Sequence, residues 1–94
     1  MYKYNDNELL YLIAENDDDA KNILIDKYRP LIVKYATKIS KNDNDIDDYI
    51  QEGMLCLIKA INSFNEKYPY SFNSYLNIIL KRKIFAKILH IMNL

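Results

Sequence analysis

Aromatic and basic residues follow one another closely in the second half of the chain. Four rings lie within eight positions and four cationic side chains come after them: Tyr68, Tyr70, Phe72 and Tyr75, then Lys81, Arg82, Lys83 and Lys87. Proteins that bind single-stranded nucleic acid combine rings that stack on bases with cations that neutralise the phosphate backbone. The pattern therefore indicates a nucleic-acid surface; the alternative is that the rings fill the core and the lysines form a solvated helix face.

Groups that perform catalysis are few and poorly placed. His90 is the only histidine and Cys56 is the only cysteine. No serine or cysteine is spaced so that His90 could activate it as a nucleophile. Asp47 and Asp48 are adjacent helix positions, about 100° apart, so their carboxylates do not converge on one substrate. A chain with one glycine holds no glycine-rich phosphate loop. We expect no enzyme activity, no metal and no cofactor.

Leu55 stands out in the helix predicted over residues 45–63. One side of that helix is a core stripe made of Ile46, Ile50, Gly53, Leu57, Ala60, Ile61 and Phe64. The opposite side is polar, with Leu55 in its middle and Met54 and Ile58 at its border. An isolated exposed leucine is normal, whereas an apolar centre with a polar rim is the composition of a small interface. Both interpretations stay open on this feature alone.

These residues must be positioned by helices, because one glycine and two prolines leave few turns for a sheet. The apolar periodicity predicts an all-α bundle of about four helices, at about 6–15, 18–39, 45–63 and 72–92. Mid-helix Gly53 costs about 1 kcal/mol relative to alanine, which predicts the close approach of a neighbouring helix. Pro30 predicts a kink or a break at Tyr28 to Arg29.

The predicted helix ends carry capping residues. Asn5 or Asp6 suits the start of the first helix. The acidic run at Asp17, Asp18 and Asp19 breaks that helix and caps the second, which is a more ordinary role for it than a metal site. Ser71 or Asn73 caps the fourth helix, whose apolar residues lie almost all round.

Composition sets the class of protein. The 94 residues form one domain, 1–94, and a hydrophobic fraction of 50% with 28% charged residues is globular. Residues 1–52 carry a net charge of −5 and residues 53–94 carry a net charge of +5. The acidic half suits a basic protein partner and the basic half suits a phosphate partner. The alternative is that this asymmetry arises by chance, as is common in small helical proteins. There is no run of eighteen apolar residues and no signal-peptide pattern, so we expect a cytoplasmic protein without a membrane partner.

The second half of the chain also matches a known pattern. In register with one helical motif are Asp48, Tyr49, Ile50, Gln51, Glu52, Gly53, Leu57, Lys59, Ala60, Ile61 and Phe64, and in register with a second are Phe72, Ser74 and Tyr75. This stretch resembles conserved region 2 of the bacterial sigma-70 family, the promoter-specificity subunits of RNA polymerase. The upstream segment AKNILIDKYRPLIVKYATKI fits more loosely, so the resemblance covers nearly the whole chain.

The resemblance implies a first binding surface, for protein. In the family, the matched helix docks on the clamp coiled coil of the polymerase β′ subunit. The residues carried over to that role are Asp48, Gln51, Glu52, Met54 and Ile58, and Leu55 joins them on the helical-wheel argument.

The resemblance implies a second surface, for the promoter minus-ten element. Family members melt the DNA at this surface and hold bases of the non-template strand, one of which is flipped out of the stack. Flipping costs a few kcal/mol, which stacking and phosphate contacts must offset. Phe72 and Tyr75 match the melting aromatics, and Lys81 and Arg82 match basic and base-reading positions. Tyr70 and Lys83 complete the predicted DNA-binding set.

Two departures from the family pattern matter. Housekeeping members carry two adjacent tryptophans where this chain has Ile78 and Ile79. Loss of these tryptophans is common among alternative sigma factors. The chain also stops after region 2, without a helix-turn-helix domain for the minus-35 element, so we expect it to be a domain of a longer factor. The competing interpretation is a sigma-like regulator that binds polymerase or an anti-sigma protein without reading DNA.

Overall fold

Four helices make up the chain between residues 4 and 91. The computed structural model describes these residues, apart from the side chains of residue 85 and of residues 87–91. The helices are α1 (Asp6–Ala14), α2 (Asp18–Ile39), α3 (Asp43–Ser63) and α4 (Phe72–Ile91). No strand occurs within 4–91, and the predicted all-α fold is confirmed. Helix α2 packs on α1 and α3, and α4 packs on α3.

Side-chain caps define the first two helices. Asn5 accepts a hydrogen bond from the Glu8 amide at 2.9 Å, and Glu8 accepts one from the Asn5 amide at 3.4 Å, which forms a capping box. Helix α1 ends at Ala14 and is followed, after Glu15, by a left-handed residue, Asn16, with φ 67°. Asp17 accepts a hydrogen bond from the Ala20 amide at 3.1 Å and is the N-cap of α2. The acidic run is therefore a cap, as predicted.

Pro30 lies inside α2 without breaking it. The helix is continuous from Asp18 to Ile39, so of the kink or break predicted at Tyr28 to Arg29 the break does not occur. Proline removes the amide that would bond the Asp26 carbonyl, and both residues lie on the exposed side of the helix. A freed carbonyl on an exposed side can be hydrated, which lowers the cost of keeping the proline inside the helix.

All four helices contribute buried side chains to one core. Its largest fully buried members are Leu9, Leu24, Ile32, Leu57, Phe72, Leu76 and Leu80. Gly53 of α3 faces Ile32 of α2, and a Cβ at Gly53 would lie 2.5 Å from Ile32 Cγ2. The predicted close approach at Gly53 is confirmed, because the two helices leave no room for a side chain there.

The buried side of α3 is wider than predicted and lies differently. Tyr49 and Cys56, outside the predicted stripe, are buried, whereas Ile46, Ile50 and Phe64 are only half-buried. Helix α3 packs against α2 on one flank and α4 on the other, so two neighbours cover a broader arc than one would. It also begins at Asp43, two residues before the predicted start.

Helix α4 buries one apolar stripe and leaves a further apolar side chain, Ile78, exposed. Its described buried side chains follow one stripe at every fourth residue: Phe72, Leu76, Leu80 and Ile84. Of the residues predicted to make it apolar all round, Ile78 is exposed and Ile79 is half-buried. The side chains of Phe85, Ile88, Leu89 and Ile91 lie outside the described set.

A polar contact fixes α1 to α2. The Asp6 carboxylate accepts hydrogen bonds from Lys27 Nζ and from the Tyr28 hydroxyl. Burial, together with this bond to a carboxylate, raises the pKa of Tyr28. Among the described residues no helix is long and apolar enough to cross a membrane.

Candidate functional site

The six predicted docking residues occupy one surface of α3, here called the α3 outer face: Asp48, Gln51, Glu52, Met54, Leu55 and Ile58. Their spacings of three and four residues place them on neighbouring turns of one helix. Asp48, Gln51, Leu55 and Ile58 are exposed, and Glu52 and Met54 are half-buried. Leu55 is the most prominent, with 63% of its surface exposed.

The α3 outer face combines an apolar centre with an acidic rim. Leu55 and Ile58 lie one turn apart, and Asp48 and Glu52 lie one turn apart beside them. Such like charges repel unless a cation is near. Lys83 of α4 supplies one, with its Nζ 3.9 Å from Glu52 Oε2. The surface suits a partner with an apolar centre and basic surroundings.

A loop of residues 64–71 joins α3 to α4 and is built by short local bonds. Asn65 Oδ1 accepts from the Lys67 amide at 2.9 Å, and the Asn65 carbonyl accepts from the Tyr68 amide at 2.9 Å. Ser71 Oγ accepts from the Ser74 amide at 3.1 Å and so caps α4. These bonds set the loop conformation that places Tyr68 beside α4.

Four rings around this loop form an aromatic cluster: Phe64, Tyr68, Phe72 and Tyr75. Ring centroids lie 4.9 Å apart for Tyr68 and Tyr75, and 5.4 Å apart for Phe64 and Tyr75. The Tyr75 hydroxyl also bonds Ser63 Oγ at 2.7 Å. Tyr75 is half-buried and Tyr68 is exposed, so Tyr68 and Tyr75 form the accessible side of the cluster.

Phe72 does not lie where its predicted role requires. Only 1% of its surface is exposed, and its ring packs edge-on against Tyr28 and Phe64 with centroids 5.5 Å from each. A ring enclosed in this way has no free side on which a base can stack. Tyr70, by contrast, is 56% exposed, although no ring contact joins it to the described cluster. Phe72 therefore supports the cluster from below.

The three basic residues predicted to bind DNA are all exposed on α4, on different sides of the helix. Lys83 lies on the flank that faces α3, since it approaches Glu52. Lys81 lies on the other flank, one turn after Asn77, which accepts a hydrogen bond from the Tyr35 hydroxyl of α2 at 2.9 Å. Arg82 projects between the two flanks, two turns after Tyr75.

The described part of the chain contains Cys56 and the acidic side chains, which are potential metal ligands. No group of three His, Cys, Asp or Glu among them is arranged to hold a metal ion. Cys56 is buried in the core, and burial raises the pKa of its thiol, so it packs as a neutral group. The side chains of His90 and Lys87 lie outside the described set.

Comparison with known proteins identifies the family. The family model described as Sigma-70 region 2 matches residues 24–88. The chain belongs to the sigma-70 family. Two curated relatives are the RNA polymerase sigma-H factors of Bacillus licheniformis and Bacillus subtilis, each 31% identical over 83 residues, or 88% of this chain. The chain spans only 37% and 38% of their respective lengths.

The sigma-70 region 2 match includes both candidate surfaces. It covers most of α2, all of α3, the 64–71 loop and most of α4, whereas α1 precedes it. At the positions where housekeeping members of the family carry two tryptophans, Ile78 is 38% exposed and Ile79 is half-buried. Both lie about one turn after Tyr75, so this sigma-70 family member has aliphatic side chains beside its aromatic cluster.

Proposed function

We propose that this chain is the region 2 domain of an alternative sigma factor, which binds RNA polymerase core and recognises and melts the promoter minus-ten element. The observation that carries the proposal is the α3 outer face, because it exposes an apolar centre on the helix that matches the family's docking pattern. The family match and the sigma-H relatives support a role in transcription initiation.

Docking on polymerase uses the exposed apolar centre of α3. Leu55 and Ile58 bury against the β′ clamp coiled coil, while Asp48 and Glu52 meet basic groups of the partner. Fully burying a leucine side chain is worth about 1.5–3 kcal/mol, and a side chain that is already partly covered yields less. Leu55, which is 63% exposed, therefore contributes on the order of 1–2 kcal/mol on docking.

Binding of the non-template strand uses Tyr68, Tyr70 and Tyr75 with the cations of α4. Stacking of one base on a ring is worth about 1–3 kcal/mol, which offsets the few kcal/mol needed to unstack or flip a base. Lys81 and Arg82 neutralise phosphates beside the rings. Phe72 takes part indirectly, since its buried ring holds Phe64 and hence the cluster in place.

The docking half is tested with RNA polymerase core. Binding of the labelled chain to core is measured for wild type, Leu55→Ala and Gln51→Ala. Tyr11→Ala is the matched control, because Tyr11 is 64% exposed but lies on α1. We expect roughly a tenfold loss for Leu55→Ala, equivalent to about 1.4 kcal/mol, and none for the control. Equal affinities for Leu55→Ala and wild type contradict the docking surface.

The DNA half is tested with a single-stranded non-template minus-ten oligonucleotide and the chain bound to core. We expect salt-dependent binding that weakens for Arg82→Gln and for Tyr75→Ala, with folding of each variant checked by circular dichroism. Tyr4 and Tyr11 lie on the α1 side, so Tyr11→Ala again serves as the control.

The alternative is a sigma-like regulator that binds polymerase or an anti-sigma protein without reading DNA. Ile78, Ile79 and the burial of Phe72 favour it, because they reduce the number of rings available to bases. Core binding that depends on Leu55, together with no oligonucleotide binding at any salt concentration, is the result that this alternative predicts.

A further inference from the structure

The second half of α2 carries a basic stripe that neither surface above uses. Residues 29–41 contain four cationic side chains and no acidic one: Arg29, Lys34, Lys38 and Lys41. Arg29 pairs with Asp26 at 3.7 Å. Lys34, Lys38 and Lys41 are exposed, and within the described part of the chain no salt bridge involves them. Lys34 and Lys38 lie on α2, and Lys41 lies two residues after its end at Ile39. These three lysines are called the α2 basic stripe.

A hydrogen bond sets the α2 basic stripe beside α4. The Tyr35 hydroxyl donates to Asn77 Oδ1 at 2.9 Å, and Asn77 Nδ2 donates in turn to the Asn73 carbonyl at 2.7 Å. Tyr35 is the neighbour of Lys34 and lies about one turn before Lys38 on α2. Lys81 lies one turn after Asn77 on α4. Lys34 and Lys38 of the α2 basic stripe and Lys81 of α4 therefore border the same contact.

Local helix energetics account for only part of the stripe. A cation in the last turn of a helix is favourable, because it faces the negative end of the helix dipole, and Lys38 is in that turn. This effect falls off within one turn, so it does not extend to Lys34. Lys34 and Lys38 also repel each other as like charges four residues apart. A polyanionic partner relieves that repulsion.

We propose that the α2 basic stripe contacts the phosphate backbone of the same DNA that α4 binds. This inference rests on the proposed function and extends the DNA path from α4 across the Tyr35–Asn77 contact onto α2. Lysines that meet phosphates do not read sequence, so the stripe adds affinity and salt dependence without specificity.

The test is the salt dependence of DNA binding by the chain bound to polymerase core. A labelled minus-ten DNA is titrated at several salt concentrations with wild type and with the triple variant Lys34→Gln/Lys38→Gln/Lys41→Gln. Each lost phosphate contact lowers the slope of log K against log salt by about 0.7–0.9, so we expect the slope to fall by about 2. Glutamine keeps the helix propensity of lysine, and circular dichroism checks the fold.

The control compares two single variants, Lys34→Gln and Lys21→Gln. Lys21→Gln also removes one positive charge from α2, but in the acidic first half of the helix. We expect Lys34→Gln to lower the slope and Lys21→Gln to leave it unchanged. If wild type binds DNA and the triple variant has the same slope, the inference is overturned and the proposed function stands. If the triple variant instead loses core binding, the stripe docks protein and the inference is again overturned. Absence of wild-type DNA binding overturns the proposed function and the inference together.

Discussion

Gly53→Ala should destabilise the domain, although alanine is the better helix former. In an exposed helix the exchange gains about 1 kcal/mol. Here the new Cβ would lie 2.5 Å from Ile32 Cγ2, far inside the about 3.5–4.0 Å of a normal carbon contact. Overpacking of a well-filled core costs about 1–3 kcal/mol or more. We therefore expect a net loss of up to about 2 kcal/mol in the free energy of unfolding.

A second substitution shows whether this particular contact is the cause. Ile32→Leu keeps the side-chain volume but removes the β-branched methyl group, Cγ2, and costs less than about 1.5 kcal/mol by itself. In that background Gly53→Ala should become neutral or stabilising by up to about 1 kcal/mol, because helix propensity then outweighs the reduced clash. The sign of the Gly53→Ala effect thus reverses between the two backgrounds.

The assay is urea unfolding followed by circular dichroism, on wild type, both single variants and the double variant. A double-mutant cycle then gives the coupling energy between positions 53 and 32. Stabilisation by Gly53→Ala in the wild-type background, or a coupling energy of zero, would refute the argument that Ile32 excludes a side chain at position 53.

Three further predictions concern the core. Phe72→Ala should lower the free energy of unfolding by about 3–5 kcal/mol. Tyr70→Ala, at an exposed position, should change it by less than about 0.5 kcal/mol. If urea unfolding gives similar changes for the two variants, the burial of Phe72 is contradicted. Burial raises the pKa of the Cys56 thiol, so the thiol should react with a thiol reagent only as fast as the fold opens. Labelling at the rate of a free cysteine contradicts the burial of Cys56. Burial and Asp6 raise the pKa of Tyr28 in the folded protein above its ordinary 10.0. The stability that Tyr28 supplies is therefore present below about pH 10 and is lost as the pH rises further. The loss is up to about 1.4 kcal/mol per pH unit. Urea unfolding between pH 9 and 11 should show a steeper loss for wild type than for Tyr28→Phe, and equal slopes contradict the shift.

Features set by neighbouring residues could be predicted from the sequence. The caps at Asn5, Asp17 and Ser71 depend on bonds to amides three residues away, and each is present. The exposure of Leu55 and the close approach at Gly53 follow from helical periodicity and from the cost of glycine in a helix. Each of these needs only the helix itself.

Features set by tertiary packing could not. Phe72 matches a motif and is aromatic, but its burial depends on Tyr28, which is distant in sequence. Tyr49 and Cys56 are buried because α3 has two neighbouring helices, and a wheel for one helix does not show where they lie. Similarly, Lys34 and Lys38 look like a solvated face until the Tyr35–Asn77 bond shows that this part of α2 lies next to α4.

The central claim is that one domain joins polymerase to promoter DNA through the α3 outer face and α4. The most direct measurement is the fluorescence anisotropy of a labelled non-template minus-ten oligonucleotide, titrated with the chain in the presence and absence of RNA polymerase core. We predict salt-dependent binding in the presence of core that is weakened by both Leu55→Ala and Arg82→Gln and unaffected by Tyr11→Ala. Binding that is unaffected by both Leu55→Ala and Arg82→Gln, or no binding at any salt concentration, would contradict the claim.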